Sequence, residues 1–345
     1  MAQKAFYVTA LIGILLLWGA RARLPESAPV SAALTSGSST ITSQEKEVIT
    51  LFFAGDVMPS RWVAKRMHEY GYDYPFREVR GLIQEADIAF LNLESPILPG
   101  RSIEGGETFF RTDPEFVPAL KDAGVDVVSL ANNHTPNFEE EGLGETFRYL
   151  EESGIAFIGA GKSARAYAPV FIEYENFVVA FVAQNDTDVI PEHYCASEER
   201  LGTACFDEKH LREAIREANS TADYVVFTMH AGDEYTTKQN ERQTQFAHAA
   251  IDAGADLVIG GHPHVIQNKE EYKGKSIYYS LGNFIFDQEW SEETRTGLVL
   301  IVTIDRSSKE IVEIREIIVD IVDYAQPRPI KISNYQFLIS NESSK

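Results

Sequence analysis

Two imidazoles spaced by one residue in His262-Pro263-His264, directly after Gly260-Gly261, lie on one side of an extended segment and make a clamp for a metal ion. The chain supplies further donors of the kinds a divalent cation takes: carboxylates at Asp56 and Glu94, an amide oxygen at Asn133, and an imidazole at His230. Glu94, placed between Leu91-Asn92-Leu93 and Ser95-Pro96, is suited to bridging two ions. In Asn133-His134 the amide can ligate while the neighbouring imidazole holds a proton for a leaving group. Taken singly, each has a blander use: Asp56 as a helix cap, Glu94 as a solvated loop residue, His230 as a buried neutral histidine. Taken in order, they point to metal-centred hydrolysis.

These donors need elements to bring them together. The β-favouring runs 48–55, 88–93, 125–132 and 224–229 end directly before Asp56, Glu94, Asn133 with His134, and His230, and Asn283 follows a similar run. In open α/β sheets ligands collect beyond the carboxyl ends of strands, so residues far apart in sequence converge on one rim. Segments 119–134 and 249–264 repeat one design: a helix end, Ala-Gly, an aspartate, a β-run and then polar donors. The glycine supplies a left-handed helix cap. Hairpins are expected over 169–184, turning at Glu175-Asn176, and around 272–275. Apolar residues at three-to-four spacing predict surface helices over 207–218 and 242–253. Strand-like runs at 297–304 and 311–319 add more sheet than three layers need, so two stacked sheets flanked by helices are expected, within an α/β class.

With 345 residues and 44% hydrophobic content, the chain can bury a full core. The formal charge of -21, from 52 acidic against 31 basic residues without a basic run, argues against nucleic acid as a partner. Residues 5–20 are apolar between Lys4 and Arg21, shorter than the roughly 20 residues that span a bilayer. Segment 1–24 therefore reads as a signal sequence or a membrane anchor, with cleavage and retention both open. Residues 25–47, rich in Ser, Thr, Ala and Pro, read as a tether, and 48–345 as the folded domain. This organisation predicts an extracytoplasmic body, secreted or anchored. Cys195 and Cys205 would then meet oxidising conditions and pair, whereas a reducing habitat would leave two thiols.

Six stretches carry a family likeness: GDVMPSR (55–61), NLESPI (92–97), DVVSLANNH (126–134), HAGDEY (230–235), GGHPHV (260–265) and SLGNFIFDQ (280–288). In this order the chain resembles calcineurin-like metallophosphoesterases, and within them the CapA family of poly-γ-glutamate capsule biosynthesis. The resemblance implies the αββα fold of that superfamily. It implies one ion held by Glu94, Asn133, His230 and His262, and a second by Asp56, Glu94 and His264, the metal being Mn, Fe or Zn. Where the superfamily has Asp-x-His, this chain has Asp56-Val57-Met58, so the second ion loses an imidazole and either one or two ions are expected. His134 would protonate the departing group, Arg61 and Arg111 would grip an anionic substrate, and Glu234 and Asn283 would orient ligands or water. The expected activity is a hydrolase or transferase acting on a phosphoester or on the amide of the polymer. The alternative is a non-enzymatic, metal-containing subunit that binds the anionic polymer beside membrane capsule synthase subunits. A metal-free binding module would leave His262-Pro263-His264 unexplained.

Overall fold

Alternate residues of the opening strand Val48–Val57 face opposite ways, and the two faces have different partners. Ile49, Leu51 and Phe53 share a core with Phe181, Val226 and Ile259, whereas Phe52 and Ala54 pack with Val63, Met67 and Phe116. A third core joins Val225, Phe227 and Val258 to Leu211, Ile215 and Phe246. Three cores separate four layers, helices outside and two sheets within. This computed structural model describes residues 46–330, and the αββα architecture expected from the sequence is present.

One sheet runs in the order Gln326–Pro329, Ile311–Val322, Thr296–Asp305, Val48–Val57, Ile88–Leu93, Val127–Ser129 and Ala156–Ile158, with Asn283–Ile285 paired parallel to the opening strand. The other runs Lys269–Tyr272, Lys275–Tyr278, Leu257–Gly261, Tyr224–His230, Phe177–Asn185 and Val170–Tyr174. Across the inter-sheet core the rings of Phe90 and Phe181 stack at 5.7 Å. Each such fully buried ring stabilises the fold by roughly 2 to 3 kcal/mol relative to exposure.

Local sequence chemistry explains most boundaries. Both hairpin turns have positive φ at their two central residues, 46° and 66° at Glu175-Asn176 and 52° and 77° at Lys273-Gly274, matching the twist of the strands they join. Asp207 caps the helix Glu208–Asn219 by accepting from the His210 amide at 2.8 Å, and Asn240 with Gln243 forms a capping box for Glu241–Ala253. The two repeated segments turn at Gly124 (φ 101°) and Gly254 (φ 112°), and each feeds a different sheet. The run 125–132 yields a strand only over Val127–Ser129. Beyond it Asn132 Oδ1 accepts from the amides of His134 (3.2 Å) and Thr135 (2.7 Å), which turns the chain off the ladder.

The expected leader 1–24 and most of the tether 25–47 lie outside the described residues. Lys46 and Glu47 are already fastened to the body: Lys46 Nζ donates to Asp87 at 2.7 Å, and the Arg306 amide donates to Glu47 O at 3.0 Å. Among the described residues no helix is long and apolar enough to cross a membrane. Cys195 and Cys205 are bonded, with Cα atoms 5.4 Å apart. Reducing this bond should lower stability by about 2 to 3 kcal/mol, because the unfolded chain regains the freedom of the closed loop. Urea unfolding with and without reductant measures it, and coincident curves would count against the bond as a stabilising element.

Candidate metal centre

The donors come from the carboxyl ends of strands in both sheets. Asp56 lies near the end of the opening strand, Glu94 follows Ile88–Leu93, His230 ends Tyr224–His230, and His262 and His264 follow Leu257–Gly261. Around Glu94 Oε1 stand three imidazole nitrogens: Nε2 of His264 at 3.9 Å, and Nε2 of His134 and of His230 at 4.0 Å. His230 Nε2 is also 3.0 Å from Asn133 Oδ1 and 3.2 Å from His262 Nδ1. Asp56 Oδ2 lies 3.4 Å from His264 Nδ1 and accepts from the His262 amide at 3.1 Å. Asp56, Glu94 and His230 offer ligand atoms that all lie within 4.8 Å of one another.

Glu94 tests whether a cation fits. It is fully buried, and neither of its carboxylate oxygens accepts a hydrogen bond. A buried carboxylate left unpaired is penalised by several kcal/mol, and a shared cation among carboxylates, imidazoles and an amide oxygen removes the penalty. The donor set fits a divalent metal.

Backbone geometry is bent to serve this cluster. His262 and His264 sit at φ 97° and 59°, conformations that cost an L residue on the order of 1 to 3 kcal/mol. Gly261 lets the second sheet approach Asp56, since a Cβ there would fall 2.6 Å from Asp56 Oδ1. A web of amides then fixes the side chains. Asn132 Nδ2 donates to Asn92 Oδ1 at 3.0 Å, and Asn92 Nδ2 donates to Asp56 Oδ1 at 2.7 Å. Asn283 Oδ1 stands 3.0 Å from His264 Nδ1, and Asn137 Oδ1 stands 3.1 Å from His134 Nδ1. Asn137 Oδ1 also accepts from the Phe110 amide at 2.8 Å, so its oxygen faces both and an Nδ1–H tautomer of His134 leaves Nε2 turned toward Glu94.

The charges in the cluster oppose one another. Burial pushes the Glu94 carboxyl well above the usual range, the charges of Asp56 and Glu234 push it further, and Arg61 pulls it back. Burial would raise Asp56 too, but its bond to His264 and the His230 and His264 charges carry it below its ordinary value. Burial lowers His230 to about 4 and His134 to about 3, and holds His262 well below the imidazole range. A histidine depressed in the folded chain contributes stability above its unfolded value of about 6.5 and loses it as pH falls toward the folded value. For His230 alone the loss is on the order of 3 kcal/mol. Glu94 runs the other way, yet three histidines outweigh one carboxyl. Chelator-treated protein should therefore unfold at lower urea as pH drops from 7 to 5, and a flat profile would contradict this arrangement.

Of the residues singled out in the sequence, Asp56, Glu94, Asn133, His134, His230, His262 and His264 meet, and Asn283 supports His264. Arg61 borders the site with its guanidinium 4.6 Å over the Phe110 ring, paired to Asp287 through Nε (3.1 Å) and Nη2. Arg111 stands apart. Its fork donates to Leu98 O at 2.6 Å, Arg101 O at 2.8 Å and Asp113 at 2.6 Å, which holds the loop 98–113 in place. Glu234 is exposed at the rim, and its charge acts on Glu94. Met58 is fully buried in the helix-side core and offers the site no donor. His68, His210 and His248 lie in pairs with Asp113, Asp207 and Glu270, away from the cluster. Asn92, Asn132, Asn137 and Asp287 had no assigned role in the sequence, although all but Asn137 lie inside the six motifs.

Comparison with known proteins agrees with this picture. The family described as bacterial capsule synthesis protein PGA_cap matches residues 50–288. The chain is 32% identical over 277 residues to the capsule biosynthesis protein CapA of Bacillus anthracis, covering 77% of this chain and 66% of that protein. It is 33% identical over 262 residues to the PGA biosynthesis protein CapA of Bacillus subtilis strain 168, covering 75% and 69%. It thus spans about two thirds of their length. Among solved structures, a phosphatase from Mycoplasma pneumoniae superposes with a TM-score of 0.53 at 16% identity, over 80% of this chain and 96% of that one. A hypothetical protein from Thermus thermophilus superposes at 0.51 and 17%, over 79% and 99%. These two likenesses speak for the fold alone. By its matched motifs and its relatives, the chain belongs to the bacterial capsule synthesis protein PGA_cap family.

Proposed function

We propose that this protein is an extracytoplasmic metal-dependent hydrolase or transferase of poly-γ-glutamate capsule biosynthesis, acting on a phosphoester or on an amide. The observation that carries the reading is the buried Glu94 carboxylate, without a hydrogen bond and ringed by three imidazoles at 3.9 to 4.0 Å. In this reading Glu94, Asn133, His230 and His262 hold one ion, and Asp56, Glu94 and His264 hold a second. Bound manganese, iron or zinc supplies an activated water and neutralises charge on the substrate. His134, steadied by Asn137 at Nδ1, presents Nε2 to a leaving group and serves as the acid in its imidazolium form, which burial opposes and a bound anionic substrate would restore, while Arg61, paired with Asp287, stands at the border. Relatives named for capsule and PGA biosynthesis support the polymer context, and the bonded cysteines suit an oxidising compartment.

The test is a metal count on the full chain and on Asp56→Ala, with hydrolysis of a generic phosphodiester and of poly-γ-glutamate measured alongside. Two ions falling to one, with metal-dependent turnover, is the expected result. Hydrolysis that ignores added metal sinks the reading. Met58 favours a second one, because the second ion lacks the imidazole its superfamily supplies. There the chain binds the anionic polymer beside membrane synthase subunits without turning it over. Polymer binding and co-purification of those subunits without hydrolysis would favour it.

A further inference from the structure

Beside His264 two large rings stand in solvent: Tyr235 is 47% exposed and Trp290 is 64% exposed. Tyr235 lies 6.2 Å from the His264 ring, and Trp290 lies 5.7 Å beyond it at 77° to its plane. Tyr235 is held in place by its backbone and its hydroxyl. Tyr235 holds a left-handed backbone (φ 61°), its amide donates at 2.8 Å to the carbonyl of Pro263 between the two clamp histidines, and its hydroxyl accepts from Gln288 at 3.3 Å. By contrast, the exposed Trp62 is stacked on Tyr324 and topped by Lys65.

The charge around these rings narrows what they can hold. The segments 232–235 and 287–293 carry Asp233, Glu234, Glu289 and Glu293 besides Asp287, which is paired with Arg61, and they include no lysine or arginine of their own. A polyanion laid there meets like charge. Carboxylates accept hydrogen bonds from hydroxyls, while the negative face of an aromatic ring attracts the weakly positive C–H face of a sugar. The 77° angle between Trp290 and Tyr235 leaves no parallel pair of rings there to sandwich a planar base.

We propose that Tyr235 and Trp290 form a subsite for a neutral sugar ring, so that the group reaching the metal centre is attached to a glycan. The platform itself stands on ring geometry and charge, and only the link to the metal centre rests on the function proposed above.

The test titrates the full chain with chitotriose, a neutral oligosaccharide, and in parallel with AMP and with poly-γ-glutamate, using calorimetry and saturation-transfer NMR. Chitotriose should bind in the millimolar range, weaken about tenfold in Trp290→Ala, and recover in Trp290→Phe, with metal content unchanged. No chitotriose binding overturns the proposal, and so does equal binding by Trp290→Ala. An affinity for AMP or for poly-γ-glutamate that is lost in Trp290→Ala, with chitotriose ineffective, also overturns it. A chain that binds chitotriose through Trp290 yet holds no metal would remove the hydrolase reading and leave the subsite standing.

Discussion

Glu94→Gln is expected to melt higher than the parent chain when both are stripped of metal, and to bind none when metal is returned. The parent buries a carboxylate with neither oxygen bonded, beside the charge of Asp56. An amide of the same shape carries no charge, which should raise stability by about 1 to 3 kcal/mol. The raised carboxyl fixes the sign with pH. A folded value above the unfolded one favours folding below pH 4.5 and loses that favour as pH rises, so the advantage of the amide grows from acid toward neutral pH. Losing the anionic bridge should also remove metal-dependent turnover, by about a thousandfold or more. Calorimetry in chelator and elemental analysis after reloading measure both. A glutamine variant that melts lower, or that keeps its metal, would contradict the role assigned to Glu94.

His134→Ala should keep its metal and lose turnover by about a hundredfold to ten-thousandfold. The ring touches Glu94 only at 4.0 Å and is held from behind by Asn137 at 3.1 Å, so its removal leaves the other donors in place. It also stacks on Phe110 with centroids 3.9 Å apart, and the alanine opens a gap there. His134→Gln fills part of that gap and separates packing from chemistry. Both variants should show unchanged metal content with collapsed kcat. Full activity in either would mean that the leaving group draws its proton elsewhere.

Much of the site was legible in the sequence because its signals are local. A β-run followed at once by a donor needs only the pleat and the sheet rim to place that donor, and this holds at Asp56, Glu94 and His230. The hairpin turns at Glu175-Asn176 and Lys273-Gly274 were legible for the same reason, since two residues set their geometry. What stayed hidden is long-range. Arg61 meets Asp287 across 226 positions, and nothing near either residue announces the pair. Arg111 reads as a cation available to a substrate, yet two of its three partners are backbone carbonyls, which have no sequence signature. Asn92 and Asn132 look like ordinary members of β-runs, and their amide chain to Asp56 exists only once three strands lie side by side.

The two repeated segments, each delivering donors from a different sheet, divide the ligands between the two halves of the polypeptide. A cut near residue 206 would leave Asp56, Glu94, Asn133 and His134 on one piece and His230, His262 and His264 on the other. Neither piece keeps either of the two proposed ligand sets whole, so a cation would strengthen the strand pairing that rejoins them, and the gain in recovery of the severed halves on adding metal would report occupancy at the seam.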